Sequence, residues 1–253
     1  MMKNKKLSSV VGIIPARYGS VRYPGKMLAI AKGKPLVQLT YENALTCPLF
    51  DDVIIATDDR RIYDCVQAFG GKVVMTSPHH LTGTDRIVEV IQNDPSLDEV
   101  DLFFNIQGDE PCVPSHVFES VTMALDADPE AVMATAVMPL EPSNAHDPSA
   151  VKCVLDCNGN ALYFSRAFIP FGKSGTVQQN TPYYHHLGIY CFRREFLLLY
   201  GKLPETPLQK AECLEQLKVL EHGYRIKVVM TNSYSIGVDT PEDLVKLEQM
   251  LCN

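Results

Sequence analysis

Val10-Val11-Gly12-Ile13-Ile14 and Val53-Ile54-Ile55-Ala56-Thr57 are apolar almost throughout, without the alternation of a strand that has one wet face. Such runs fit strands buried on both sides, as in a parallel sheet covered by helices. Helical patterns fall between them. Pro35 to Leu45 opens with proline at a first helical position. Asp58-Asp59 gives an acidic start to a helix running to about Phe69, where Gly70-Gly71 stops it. Lys72 to Thr76 is a third short strand, Thr82 to Arg86 leads into a helix over Ile87 to Asn93, and Leu102 to Ile106 is a further strand. This alternation predicts an α/β fold with a mostly parallel, right-handed central sheet flanked by helices.

The second half reads less regularly. A helix over Pro114 to Leu125 and a strand over Val132 to Met138 precede Val151 to Leu155 and Ala161 to Phe164, which flank Asp156-Cys157-Asn158-Gly159-Asn160 as a hairpin. Phe168 to Pro182, through Asn180, reads as a mobile loop able to cover a site. His186 to Phe192 is a strand, Arg194 to Tyr200 a short helix, Lys210 to Glu221 one amphipathic helix, and Ile226 to Met230 a strand. Thr240 caps a last helix with Pro241 at its first position. No linker interrupts the pattern, so the expectation is a loose tail over residues 1–9 and one domain over 10–253.

The loop after the first strand is the most informative segment. Pro15 ends the ladder, and Arg17, Arg22 and Lys26 follow within ten positions, with Pro24, Gly19 and Gly25 shaping the backbone. Open α/β sheets bind ligands at the carboxyl ends of their strands. Three cations there suit a polyphosphate, although a solvated loop can carry the same residues. Neither the dinucleotide fingerprint nor the Walker loop is present, so the side-chain cations must supply the binding.

The composition narrows the classes. With 253 residues, 21% charged and 46% hydrophobic, the chain can bury a sizeable core. Its net charge of −7 argues against a nucleic-acid partner and makes a local cationic loop more telling. The eight cysteines lack disulfide or zinc spacing and read as reduced core residues. No run of about 18 apolar residues is present for membrane insertion, and the start fails as a signal peptide. The expected location is the cytoplasm.

Two carboxylates stand where a hard cation could bind. Asp109 follows a strand and a glycine, where a turn aspartate is common. Asp239 precedes the last helix and could be its cap, unless Thr240 takes that role. Mg²⁺ uses one or two carboxylates and fills its shell with water and phosphate oxygens, so the pair points to Mg-nucleotide chemistry. Arg166 ends Tyr163-Phe164-Ser165-Arg166 and could fork onto a carboxylate or sit in a surface salt bridge. His186 and Tyr190 share a strand face by period-two alternation, and Glu215-Gln216 lie on the amphipathic helix. A buried structural histidine and solvated helix residues are the ordinary outcomes for these.

The ordered segments Ile14-Pro-Ala-Arg-Tyr-Gly-Ser with Arg22-Tyr-Pro-Gly-Lys26, Ala56-Thr-Asp58, Thr82-Gly-Thr-Asp-Arg86, Asn105-Ile-Gln-Gly-Asp-Glu-Pro111, Ala161-Leu-Tyr-Phe-Ser-Arg166, His186-Leu-Gly-Ile-Tyr190, Leu214-Glu-Gln-Leu217 and Gly237-Val-Asp-Thr-Pro-Glu-Asp243 run through the chain. Taken together, they resemble the 3-deoxy-manno-octulosonate (Kdo) cytidylyltransferase family. The resemblance implies a nucleotide-diphospho-sugar transferase-like domain with a small hairpin and dimerisation region, acting as a homodimer. It also implies transfer of CMP from CTP to the anomeric hydroxyl of Kdo, toward lipopolysaccharide. Arg17, Arg22 and Lys26 would grip the triphosphate, Thr82, Gly83 and Arg86 would surround the cytidine, and Asp109 and Asp239 would bind Mg²⁺. Arg166, His186, Tyr190, Glu215 and Gln216 would face the sugar acid, with Gln107 between the substrates. Gly19, Val21 and Tyr23 depart from residues frequent in the family but leave the cations in place. A cytidylyltransferase for another acidic sugar such as sialic acid, an enzyme using another base, and a silent CTP-binding sensor are the competing readings.

Overall fold

The computed structural model describes residues 8–20, 22–178, 181–233 and 237–251. Most of the expected tail, Val21, Asn180 and Cys252 lie outside the described residues. The chain divides into two compact units, residues 1–119 with 234–253, and residues 120–233.

The first unit is built on four parallel strands. β1 (Val10–Ala16) is followed by the two-residue strands β2 (Ile30–Ala31) and β3 (Lys34–Pro35), α1 (Leu36–Ala44), β4 (Asp52–Thr57), α2 (Arg60–Ala68), β5 (Val73–Met75), α3 (Gly83–Asn93) and β6 (Leu102–Asn105). The spatial order is β6-β1-β4-β5, every pair parallel. Both faces of this sheet are covered as its continuous apolar runs require: Val10, Ile13, Ile14, Val53, Ile55, Phe103 and Phe104 are buried, and Phe104 meets the Phe118 ring edge-on at 5.2 Å. Ser9, in the expected tail, is tied down by Asp101, which accepts from its N–H and its hydroxyl at 2.8 and 3.0 Å.

Pro15 does not end β1. The strand runs on to Ala16 and keeps its register with β4, Pro15 opposite Ala56, while pairing with β6 stops at Ile13 opposite Asn105. A proline removes one donor, so it can close one ladder and leave the other intact. Pro35 is the residue before α1 rather than its first helical one, and α3 begins at Gly83, so Gly83 to Arg86 form its first turns.

α4 (Ser115–Ala127) carries the chain into the second unit, which holds β7 (Ala131–Pro139), β8 (Lys152–Leu155), β9 (Ala161–Ser165), β10 (Tyr184–Arg193), α5 (Arg194–Tyr200), α6 (Pro207–Glu212), α7 (Gln216–Glu221) and β11 (Arg225–Met230). β7 pairs parallel with β11 and antiparallel with β10, and β8 and β9 form the expected hairpin. The Asp156 carboxylate closes its turn by accepting from the N–H groups of Asn158 and Asn160, both at 2.8 Å. The single amphipathic helix expected over Lys210 to Glu221 is two helices, because Cys213 adopts a left-handed backbone at φ 53° and turns the chain. The two helices also differ in burial: α6 buries none of its residues, whereas α7 buries Gln216, Leu217, Lys218 and Val219. α8 (Pro241–Met250) returns to the first unit.

The cysteines are only partly core residues. Cys47, Cys153 and Cys191 are buried, but Cys157 and Cys213 are exposed, and none described is in a disulfide. Burial pushes the Cys153 and Cys191 thiols up to about 12. No helix among the described residues is long and apolar enough to cross a membrane.

Candidate active site

The cationic loop folds back on the first unit through its own backbone. The Tyr18 carbonyl accepts from the N–H groups of Ser20 and Gly25, at 3.0 and 2.9 Å. Gly25 has φ +73°, and a Cβ there would lie 3.1 Å from the Tyr18 ring, so position 25 needs glycine on both counts. The Arg61 guanidinium of α2 stacks 3.3 Å from the centroid of the same ring. No motif connects Tyr18 to Arg61; only the fold brings them together.

Asp109 is presented by a turn at the carboxyl end of β6. Gly108 is packed so closely that a Cβ would meet Met27 Sδ at 2.9 Å and the Pro15 carbonyl oxygen at 3.3 Å. Its own carbonyl accepts from Thr40 Oγ1 at 2.8 Å, and the Asp109 carbonyl accepts from Val238 N–H at 2.8 Å. This last bond draws the segment before α8 to the turn, bringing Asp239 to the same place as Asp109.

Lys26 joins the two carboxylates. Its Nζ donates to Asp109 Oδ2 at 2.5 Å and to Asp239 Oδ1 at 3.1 Å, and Arg22 Nη2 pairs with Asp239 Oδ2 at 2.9 Å. Burial works to lower the Lys26 pKa, but Asp109 and Asp239 outweigh it and hold the ammonium above its ordinary range. Neighbouring Glu110 is pushed up to about 8 by burial, with Asp109 and Asp239 adding and Lys26 opposing. Thr240, not Asp239, caps α8: its Oγ1 accepts from Asp243 N–H at 3.3 Å while the Asp243 carboxylate closes the box.

A cleft of about 220 Å³ opens here, lined by Pro15, Arg17, Lys26, Gly83, Gln107 and Asp109 among others. Gly83 is the first residue of α3, so unpaired N–H groups and the positive end of a helix dipole stand at its wall. Thr82 is the cap of that helix, its hydroxyl engaged with Asp85. Arg17 donates from Nη2 to the Leu81 carbonyl at 3.0 Å. Arg86 is not among the lining residues. Its guanidinium is fully buried, Nη2 paired with Asp58 Oδ2 at 2.7 Å and Nη1 bonded to Thr76 Oγ1, so it braces the ends of β4 and β5 beneath the helix.

The second unit holds the other candidate residues. Tyr190 O–H donates to Gln216 Oε1 at 3.2 Å, Gln216 Nε2 lies 3.5 Å from His186 Nδ1, and His186 Nε2 lies 2.9 Å from Thr135 Oγ1. Thr135 O–H donates to the Ile189 carbonyl at 2.7 Å. One tautomer satisfies the whole chain: neutral His186 accepting at Nδ1 and donating from Nε2. Burial, with His185 adding, pushes the His186 pKa down to about 3. Between Leu187 opposite Ala136 and Tyr190 opposite Thr135, Gly188 and Ile189 bulge from the ladder. A two-residue bulge keeps the strand's phase, so the shared face read from the sequence survives it, with ring centroids 5.5 Å apart. Tyr190, Gln216, His186 and Thr135 are all buried, and Glu215 directly precedes α7. Arg166 is exposed, and among the described residues its guanidinium bonds only backbone carbonyls, so it is not the surface salt bridge that was its ordinary alternative.

The comparisons with known proteins point to one family. Residues 11–226 match the cytidylyltransferase family model. The 3-deoxy-manno-octulosonate cytidylyltransferase of Protochlamydia amoebophila is 51% identical, over 99% of this chain and 98% of its own. The enzyme of that name from Arabidopsis thaliana, designated mitochondrial, is 46% identical over 98% of this chain and 86% of its own. The solved structure of CMP:2-keto-3-deoxy-manno-octonic acid synthetase complexed with CTP superposes with a TM-score of 0.90 at 40% identity, covering 97% and 99% of the two chains. A 4-diphosphocytidyl-2C-methyl-D-erythritol synthase from Anaerococcus prevotii, 14% identical with a TM-score of 0.66 over 98% of this chain and all of its own, shares the fold alone. With its cationic loop, paired aspartates and match along nearly its whole length, the chain belongs to the cytidylyltransferase family, among the 3-deoxy-manno-octulosonate cytidylyltransferases.

Proposed function

We infer that the protein transfers CMP from CTP to the anomeric hydroxyl of 3-deoxy-D-manno-octulosonate, giving CMP-Kdo and pyrophosphate for lipopolysaccharide synthesis. The observation that carries this reading is Lys26 shared between Asp109 and Asp239 at the rim of a cleft lined by phosphate-type binding groups. The sugar oxygen attacks the α-phosphorus, the bond from that phosphorus to the α,β-bridging oxygen breaks, pyrophosphate departs, and the hydroxyl proton passes to solvent. Such a transfer needs positioning and charge stabilisation rather than a protein nucleophile.

Arg17, Arg22 and Lys26 receive the triphosphate, and the α3 N-terminus at Gly83 adds uncharged donors. Lys26 is charged and already balanced by two carboxylates, so it can exchange one of them for a phosphate oxygen without a buried charge being left alone. Thr82 and Arg86 act by holding the wall of the cleft, and Gln107 lies within reach of both substrates. Asp109 and Asp239 would hold Mg²⁺: both are hard oxygen donors, and both converge on one cation position, the one that Lys26 Nζ takes here. When bound, the metal supplies charge neutralisation on the phosphate oxygens and lowers the pKa of the attacking hydroxyl. Arg166 receives the carboxylate of the sugar acid, supported by His186, Tyr190, Glu215 and Gln216. The protein works as a homodimer in the cytoplasm.

Pyrophosphate release tests this directly, measured for CTP, UTP, ATP and GTP, each with Kdo, sialic acid or a neutral sugar. The expected result is turnover with CTP and Kdo that depends on Mg²⁺. Preference for sialic acid or for another base would replace the substrate assignment, and CTP binding without turnover would leave a sensor.

A further inference from the structure

Arg166 is held on nearly every side. Its backbone N–H donates to Glu212 Oε2 at 2.9 Å, its Nε to the Glu212 carbonyl at 3.0 Å, and its Nη1 to the Pro148 carbonyl at 3.1 Å. The Nζ of fully buried Lys152 donates to the Arg166 carbonyl at 2.7 Å and to the Asp147 carbonyl at 2.8 Å. Ser165 Oγ donates to Glu212 Oε1 at 2.5 Å and accepts from Ala167 N–H at 3.0 Å. Glu212, the last residue of α6, thus supplies three acceptors to the end of the hairpin. Its carboxylate is spent on a backbone amide and a hydroxyl, and only its neutral carbonyl touches the guanidinium. A guanidinium has five N–H donors. Among the described residues two go to carbonyls, leaving Nη2 and one hydrogen of Nη1 on an exposed, charged group.

We propose that Glu212 is the positioning residue of the sugar-acid site, fixing Arg166 so that its open edge is a preformed receptor for the carboxylate of the acceptor. This rests on the assignment of Arg166 to that carboxylate. A free arginine pays rotamer entropy when it binds; one already locked by its backbone and by Nε does not. The Glu212 carboxylate does this without neutralising the guanidinium, which a direct ion pair would do.

The test is a double-variant cycle on Glu212→Ala, Arg166→Ala and the two combined, with the KM for Kdo, the KM for CTP and kcat measured separately. Glu212→Ala should raise the KM for Kdo roughly tenfold to a hundredfold, the usual weight of a charge-assisted bond. The KM for CTP should stay within about twofold. In the Arg166→Ala background the same change should add less than about twofold. Glu212→Gln should recover most of the loss, because its amide oxygen can accept from Arg166 N–H while its amide nitrogen donates to Ser165 Oγ. A KM for Kdo unchanged in Glu212→Ala, full additivity in the double variant, or Gln as damaging as Ala would each overturn the proposal. If Glu212→Ala does not fold, Ser165→Ala decides: it cuts one tie of Glu212, and an unaltered KM for Kdo counts against the role. Arg166→Ala with normal Kdo dependence would instead sink the carboxylate assignment itself.

Discussion

Arg22 and Lys26 carry the same formal charge and stand immediately before and after Tyr23-Pro24-Gly25, yet their surroundings rank them. Lys26 has a side chain 11% exposed and two carboxylate partners, whereas Arg22 is 66% exposed with one. Exposed pairs are screened by water and contribute little, while a desolvated cation stabilises developing charge strongly. Lys26→Ala should therefore lower kcat about 10²- to 10³-fold, as loss of a preorganised donor does, and Arg22→Ala should cost less. Equal losses in steady-state turnover would show that exposure is the wrong criterion. Asp239→Asn should abolish Mg²⁺-dependent turnover with little change in Tm, because Thr240 and Asp243 hold the α8 cap without the Asp239 carboxylate. A variant that melts early and turns over normally would make Asp239 a structural residue. The motif spacing made the cations and both aspartates legible in the chain. It could not show that Lys26 bridges them, since Asp239 arrives through a backbone bond between Val238 and Asp109.

At the scale of elements, the parallel half of the fold was readable because runs such as Val53 to Thr57 can be satisfied only by burial on both faces. The break at Cys213 was not, because the left-handed turn uses a residue with no turn preference. The β10 bulge illustrates the opposite case: Gly188 and Ile189 leave the ladder without disturbing the pairing of His186 and Tyr190. The resulting buried chain of hydrogen bonds has a pH signature. An unfolded His titrates near 6.5, but His186 in the fold is held down at about 3. Between these values the unfolded chain binds a proton that the folded chain does not, so the contribution is fully present above about pH 6.5 and is lost as pH falls toward 3. Denaturant unfolding should show roughly 1–2 kcal/mol lost from this group between pH 7.5 and 5. His186→Gln should start less stable but lose correspondingly less over that interval. Parallel pH dependences in the two proteins would mean that another group dominates.

For the whole molecule, the homodimer proposal can be judged by what the second unit leaves in water. Leu162, in β9 of the hairpin, is 60% exposed in the single chain, on the strand that ends just before Arg166. A two-fold interface presents the same patch twice, so one substitution is felt at two places. Burying a leucine side chain is worth about 1.5–3 kcal/mol, which doubles to about 3–6 kcal/mol per dimer. A charge in its place adds a desolvation cost of the same sign. If the hairpin is the dimer contact, Leu162→Glu should raise the dissociation constant at least about 10²-fold, visible by sedimentation as a shift to monomer at micromolar concentration. The side chain is exposed in the monomer, so its Tm measured under monomeric conditions should barely change. A stable dimer in Leu162→Glu would place the interface elsewhere, and a wild-type chain that sediments as a monomer would remove the homodimer altogether.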